Sequence, residues 1–453
     1  MQFLILNIQD IVFTGEDFII VPVLLLFFTI ILNVAKNNES NPELRAYLVR
    51  GFWVKIASVF FSSLVFAYVL GKSDSYYYFK HGLLILDLSD GRPDLRGLLF
   101  FPELDYEAAL SINSYVRREA SYMVDRFSAF FSLITFRSFI GTTLCFAAFS
   151  YIFIWKFFKV LFSRYYVVKG RLALAFLYLP SVVMWGSPIL KDTLTFAMMC
   201  LICYYVFLFT LEKRFSLFSI VLVPTAIYII GVIKSYILLS LFPSLLLYFI
   251  LSFQDRINSS MIRTILFPLL LLLGLGIGVV GLQYTSSTFT KFNLDNIEEK
   301  AAGTIRWHGT RSEQAEGSGY SLGSDDLSSS AVLAKFPLAI NVTLFRPYLW
   351  EARKPLIVLA ALESAYIFYL TLTLFFKVRT RMFTVVFQDS FALFCMVFSL
   401  LFSGAVGMVS YNFGALTRYK IPGMPFYIMF LALAEFYAIN ERKSNTVSSV
   451  RRR

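Results

Sequence analysis

Residues 172–211 read LALAFLYLPSVVMWGSPILKDTLTFAMMCLICYYVFLFTL, and only Lys191 and Asp192 in this stretch are charged. An α-helix needs about 20 mostly apolar residues to cross the hydrocarbon core of a bilayer. Two such runs, 172–187 and 191–211, meet here at PSVVMWGSPI. Pro180 and Pro188 interrupt a helical ladder, and Gly186 and Ser187 permit a turn. The pattern is that of one membrane span ending and another beginning.

The same signature recurs outward from this stretch. Further apolar runs lie at 17–35, 52–71, 138–162, 215–233, 236–253, 263–284, 355–376, 383–404 and 421–438, which makes eleven candidate spans. Composition agrees. The chain of 453 residues is 58% hydrophobic and only 15% charged, with 50 Phe and 26 Tyr, more than one aqueous core could hide. Soluble domains carry roughly 25% charged residues. A disordered chain, a fibrous repeat and a soluble enzyme are excluded on these grounds. The expected fold class is an all-α integral membrane protein of about eleven transmembrane helices with two long extracytoplasmic loops.

Basic residues orient the chain, because short cytoplasmic loops collect Lys and Arg. Lys36, Arg45, Arg50 and Lys55 precede the second span, and Arg164, Lys169 and Arg171 the fourth. Lys213 and Arg214 precede the sixth, Arg256 and Arg263 the eighth, and Lys377, Arg379 and Arg381 the tenth. The tail carries Arg442, Lys443 and Arg451 to Arg453. The expectation is an N-terminus outside and a C-terminus inside. The parts are then spans 1–2 (1–71), an outer loop (72–137), spans 3–8 (138–284), a second outer loop (285–354), spans 9–11 (355–440) and a basic cytoplasmic tail (441–453). The start, MQFLILNIQDIVFTGEDF, has no basic n-region and no small-residue cleavage site, so no cleaved signal peptide is expected.

Apolar residues recur at helical spacing from Asp105 to Phe136, with Arg117, Arg118, Glu119, Asp125 and Arg126 between them. That is an amphipathic helix, either along the outer interface or packed outside the membrane. In the second loop, SEQAEGSGYSLGSDDLSSS is rich in Gly, Ser and acid and is expected to be mobile, with few apolar anchors.

Charges cluster at the expected outer mouth. Asp74 follows the second span; Lys191 and Asp192 follow the break; Lys234 lies in the next outer hairpin. Arg346, Glu351, Arg353 and Lys354 come from TLFRPYLWEARKP, and Arg418 and Lys420 from YNFGALTRYKIPGMPF. Charges in or near spans are costly and usually face a cavity or a partner. A span restarting near Ile189 would aim its positive dipole end outward, an anion site strengthened by a Lys in its first turn. Asp192 is equally read as ordinary capping of that helix start. Lys191, Arg346 and Arg418 are expected to converge on one anionic ligand. Tyr76, Trp185, Tyr348, Trp350, Tyr411 and Tyr419 interleave with these charges, as an interfacial belt or as stacking faces for sugars. Glu363 falls inside the ninth span, as a partner for an Arg or as a proton-coupled group. His81 and His308 are the two histidines. No metal-ligand spacing appears, no nucleotide-binding loop is present, and no cofactor is expected. Cys200 and Cys203 form a C-x-x-C pair in AMMCLICYY, read as mid-span packing.

PSVVMWGSPILKDTL resembles a segment of bacterial membrane glycan polymerases of the O-antigen polymerase and EpsG-like kind. NFGALTRYKIPGMPF is similar to their late outer segment, in which a basic pair precedes a Pro-interrupted last span. GKSDSYYYF resembles the acidic first outer loop of GT-C glycosyltransferases, and TLFRPYLWE is similar to stretches of such envelope proteins. The matching stretches cover about a tenth of the chain. Lys191 stands where the EpsG-like proteins often carry Arg, and a single Asp74 stands where an acidic pair is usual.

The resemblance implies a GT-C-like fold and glycosyl transfer in polysaccharide biosynthesis, at the outer face of the bacterial inner membrane. The substrate would be a polyprenyl-(pyro)phosphate-linked glycan, without metal. Lys191, Asp192, Lys234, Arg346, Arg353, Arg418 and Lys420 would bind it, and Asp74, Glu351 or His308 would be catalytic. Membrane lipids and envelope biosynthesis proteins are the other expected partners; no nucleic acid is. A transporter or flippase of lipid-linked glycans, and a non-catalytic envelope assembly partner, are the competing classes.

Overall fold

The computed structural model describes residues 15–70, 73–88, 119–254, 319–320, 322, 329–408, 410 and 412–450. Among the described residues the chain is helical, and its β structure is a single bridge between Gly319 and Asn412. Seven helices are long and apolar enough to cross a membrane: Asp17–Asn37, Pro42–Val69, Phe139–Arg164, Tyr166–Trp185, Lys191–Leu211, Pro355–Val378 and Ser390–Gly407. An eighth follows if Phe413–Tyr419 and Met424–Asn440, bent by 64°, form one broken span. The chain is thus an all-α, multi-pass membrane protein. The expected runs 215–233 and 236–253 coincide with the shorter apolar helices Ser219–Lys234 and Tyr236–Ser252. The run 263–284 lies outside the described residues.

The chain divides into two units, Met1–Arg164 with Phe176–Lys234, and Tyr165–Ala175 with Ser235–Arg453. In the first unit α1 (Asp17–Asn37) and α2 (Pro42–Val65) pack on α5 (Phe139–Arg164), with α3 (Asp74–Leu88) and α4 (Glu119–Ile134) paired beside them. Asn41 caps α2 by accepting from the Glu43 and Leu44 amides, and Pro42 fills the first turn, where a missing N–H is harmless. After α6 (Lys169–Ala173) the chain enters α7 (Pro180–Trp185), then α8 (Lys191–Leu211) and α9 (Ser219–Lys234). Helix α8 packs on both α5 and α9. Phe146, Phe157, Phe158, Phe196 and Phe207 are fully buried in this unit. Lipid tails are as apolar as these rings, so close packing rather than water exclusion holds such helices together.

The expected amphipathic helix is α4 in its described part. It packs against α3, α8 and α9, which favours the packed reading over the interfacial one. Helix α3 is a correction to the sequence reading, which took Asp74 and the residues after it as loop. Its aromatic run gives weak helical periodicity, and α4 supplies the surface that buries Tyr78, Phe79, His81, Ile85 and Leu86. Gly82 permits this pairing: a Cβ there would meet the Ala129 backbone nitrogen at 2.8 Å.

The second unit contains α6 and α10 (Tyr236–Gln254), α11 (Ser329–Phe345), α12 (Pro355–Val378), α13 (Arg381–Val385), α14 (Ser390–Gly407), α15 (Phe413–Tyr419) and α16 (Met424–Val450). Helix α14 is central to it, packed by α10, α11 and α16. Phe394, Phe398 and Phe402 stack along its length, with centroids 5.9 and 5.6 Å apart. Asp389 caps α14 through the Phe391 and Ala392 amides, so that span starts later than the expected residue 383. Helix α11 lies within what the sequence reading took as loop; it tolerates Pro337 and crosses α14 where Gly407 meets the Ala339 backbone. Most of the polar stretch, and with it the expectation of mobility, lies outside the described residues, among which Tyr320 and Leu322 are its apolar members. Both are buried, and the Tyr320 hydroxyl donates to the Gly407 carbonyl at 3.0 Å.

Candidate functional site

In the first unit, four helices bring ionisable residues together at the start of α8. Leu190 is extended and α8 begins at Lys191, so the first two helical residues are the charged pair of the sequence motif. The Lys191 ammonium donates to Ser121 Oγ of α4 at 3.0 Å and stands 5.9 Å from the Tyr78 ring centroid of α3. Asp192 turns inward, 2% exposed, and forms an ion pair with Lys234, the last residue of α9. The ordinary-capping reading of Asp192 therefore gives way to a buried ion pair that ties α8 to α9.

Beside Lys191, His81 of α3 faces Asp125 of α4, with Nδ1 3.6 Å from Oδ2. Asp125 is 1% exposed. Burial pushes its carboxyl up to about 6, although the neighbouring His81 and Lys191 pull the other way. Arg126 lies over the Tyr122 ring at 4.4 Å. The sequence reading placed Asp125 and Arg126 on a polar face and missed their burial. The only signal was an acid–base pair inside an otherwise apolar helical stretch. Asp74 is exposed in the first turn of α3, where the helix dipole favours a carboxylate. Spacings of four and three residues put Asp74, Tyr78 and His81 on one face of α3.

Lys55 is a further correction. The positive-inside count took it as a residue preceding the second span, whereas it is buried within α2. Its ammonium donates to the Gly186 carbonyl at 2.5 Å.

The second unit has its own charged group. Arg346 forms a fork with Glu351: Nε donates to both carboxylate oxygens at 3.1 Å, and Nη2 also donates to Oε1. The Tyr348 amide donates to the same carboxylate at 2.8 Å. Burial raises the Glu351 carboxyl, but the Arg346 and Tyr348 hydrogen bonds outweigh it and hold it below its usual value. Such a carboxylate is a poor proton acceptor and a good anchor for Arg346. The guanidinium also lies 5.1 Å from the Phe413 ring and 5.5 Å from that of Tyr320. Lys420, 1% exposed at the break between α15 and α16, donates to Ser364 Oγ at 2.8 Å. Ser364 in turn donates to the Arg346 carbonyl at 3.1 Å, which links the two basic residues through α12. Glu363, one residue earlier, is close enough to act on the Lys420 charge. Arg418 is half-buried in the last turn of α15, and Arg353 is exposed just before α12.

The expected set is therefore distributed: Lys191, Asp192, Lys234 and Asp74 belong to the first unit, and Arg346, Glu351, Arg353, Arg418 and Lys420 to the second. His308 and Tyr411 lie outside the described residues. A cavity of about 180 Å³ in the second unit is lined by Arg171, Tyr369, Thr373, Lys377 and Glu435, none of them an expected site residue. Lys377 pairs with Glu435 at 2.6 Å, and Arg171 donates to the neutral Tyr366 hydroxyl at 3.1 Å. The buried ionisable cluster at the start of α8 is the stronger site, because burial of such groups is costly without a use. No group of three or more potential metal ligands occurs among the described residues.

Fold and site together define a multi-pass membrane protein, helical among the described residues, with charged residues buried at helix ends and breaks and, at Lys55 and Asp125, inside helices. Comparison with family models, with curated proteins and with solved structures finds no match for the chain.

Proposed function

We propose that this chain is a membrane glycosyltransferase, a polysaccharide polymerase acting on polyprenyl-phosphate-linked glycans at the outer face of a bacterial inner membrane. The observation that supports it is the cluster at the start of α8: Lys191 in the first turn of a restarted span, beside the buried His81–Asp125 pair. Lys191, with the positive end of α8, takes the phosphate of the lipid-linked donor. Asp192 and Lys234 hold that helix start in place. Asp74, one turn along α3 from Tyr78, accepts the proton of the acceptor hydroxyl. That oxygen attacks the anomeric carbon, the bond from carbon to phosphate oxygen breaks, and the polyprenyl (pyro)phosphate leaves with the charge that Lys191 offsets. Arg346 and Lys420 are the corresponding anion-holding residues of the second unit. Eleven spans, a GT-C-like arrangement and an N-terminus outside with the C-terminus inside belong to this proposal.

A second reading, a transporter of the same lipid-linked glycans, draws on the two interrupted spans, at 186–190 and at 420–423. Transporters commonly bind substrate at such broken helices. The full chain in lipid nanodiscs or proteoliposomes, given a polyprenyl-pyrophosphate oligosaccharide, separates the readings. Longer glycans on the lipid, lost in Lys191→Ala and in Asp74→Asn with protein level intact, are expected. Movement of the donor across the bilayer without elongation would establish the transporter. Neither binding, elongation nor movement would leave an assembly partner.

A further inference from the structure

Lys55 lies thirteen residues past Pro42 in α2, roughly 20 Å along the axis at 1.5 Å per residue. A lysine so deep in a spanning helix is costly and marks a place where the protein uses its charge. Its ammonium reaches one oxygen directly, the Gly186 carbonyl, at the hydroxyl-rich end of the span that stops at Trp185. Gly186, the C-cap of α7, gives its amide to the Val182 carbonyl and its own carbonyl to Lys55 Nζ at 2.5 Å and to Ser150 Oγ at 3.3 Å. Ser58, one turn along α2 from Lys55, donates to the Val183 carbonyl at 2.9 Å and lies 2.8 Å from Ser187 Oγ. Thr193 Oγ1 of α8 is 2.7 Å from the Pro188 carbonyl and 3.3 Å from that of Trp185. Gly186 cannot carry a side chain here: a Cβ would stand 2.3 Å from the Val182 oxygen.

Last-turn carbonyls have no helical partners and carry the negative end of the macrodipole. Unwound carbonyls, helix C-terminal ends and hydroxyls are also the groups with which broken membrane helices coordinate small monovalent cations. We propose that the end of this broken span is a monovalent-cation site, and that its occupant is the protein's own Lys55 ammonium. The tethered cation closes the break between α7 and α8 and fixes the point from which α8 restarts. A diffusible cation would do the same only at sufficient concentration, whereas a tethered group needs none in solution. This inference is independent of the glycosyltransferase reading, because the test uses no substrate.

The test is thermal unfolding of the full chain in nanodiscs. Lys55→Ala removes a propylammonium group from the site. The variant is expected to melt about 1–3 °C lower, because the Gly186 carbonyl loses its nearer donor in a protein of this length. Propylammonium chloride should restore most of that loss in a saturable way, whereas tetramethylammonium chloride, which has no N–H to donate, should not. Lys55→Met, which fills the space without a donor, should melt low and respond to neither salt. Unchanged melting of Lys55→Met, equal rescue by both salts, or no rescue of Lys55→Ala by propylammonium would each overturn the proposal. Should Lys55→Ala fail to accumulate, Lys55→Arg and Lys55→Met decide at the level of expression. Recovery of Arg and loss of Met supports a cation site; loss of both, or recovery of Met, overturns it.

Discussion

Asp125 shows what burial does to a single residue. The structure places its carboxyl beside His81, within reach of the Lys191 charge and with 1% exposure, and its proton is held up to about pH 6. An unfolded Asp releases that proton near pH 4. The stability tied to this proton is therefore complete below about pH 4 and is lost as the pH rises through about 6, at roughly 1.4 kcal/mol per pH unit within the window. Melting temperature in nanodiscs should fall between pH 4 and pH 7, and Asp125→Asn should flatten that slope; parallel slopes for the two proteins would contradict the assignment. Lys234 and Asp192 give a second prediction at this scale. Removing one partner of a buried pair leaves the other charge uncompensated, at about 3–5 kcal/mol. Lys234→Met should be strongly destabilised, and Asp192→Asn combined with Lys234→Met should recover part of the loss. A double variant as unstable as the sum of the two single ones would show the pair to be uncoupled.

Helix α3 acquires its role from its contact with α4, and Gly82 sets the distance between them. A side chain at position 82 would collide with the Ala129 nitrogen at 2.8 Å and with Ser128 Cβ at 2.9 Å. Gly82→Leu is expected to cost about 1–3 kcal/mol through overpacking. By parting the helices it should also separate His81 from Asp125, so the variant should lose the pH dependence of melting along with stability. Loss of stability with the pH slope retained would mean that the pair does not depend on this crossing. The same reasoning explains why the two interrupted spans differ from ordinary ones. Each break exposes backbone groups that need polar partners, and Lys55, Ser58, Ser150 and Thr193 supply them at the first break.

For the whole molecule the testable quantity is sidedness. Basic residues before α5's successor segments, between α8 and α9, and after α12 predict a cytoplasmic C-terminus and an outer location for residues 310–330. Reporter fusions after Arg453 and within 310–330 should therefore report opposite sides. Equal sidedness would remove the outer-face assignment and the lipid-linked donor with it. Removal of Lys55 from the positive-inside count leaves Lys36, Arg45 and Arg50 before the second span, so the orientation rests on the same side as before.

Composition and apolar run length were enough to determine the class. A 15% charged chain with runs of about 20 apolar residues satisfies its backbone in a bilayer only as helices. The break at PSVVMWGSPI, the helical start at Lys191 and the basic group around Arg346 were also legible, because Pro, Gly and charge act locally. Partners were not. Asp192 reads as a cap until Lys234, 42 residues away, closes on it. Lys55 reads as a loop cation until Gly186, 131 residues away, accepts its hydrogen bond. His81 and Asp125 are ordinary residues of two unremarkable segments until Gly82 lets those segments touch. Each of these identities is a property of a contact between distant helices, and packing, which depends on the volume and shape of both partners at once, is what decides such contacts.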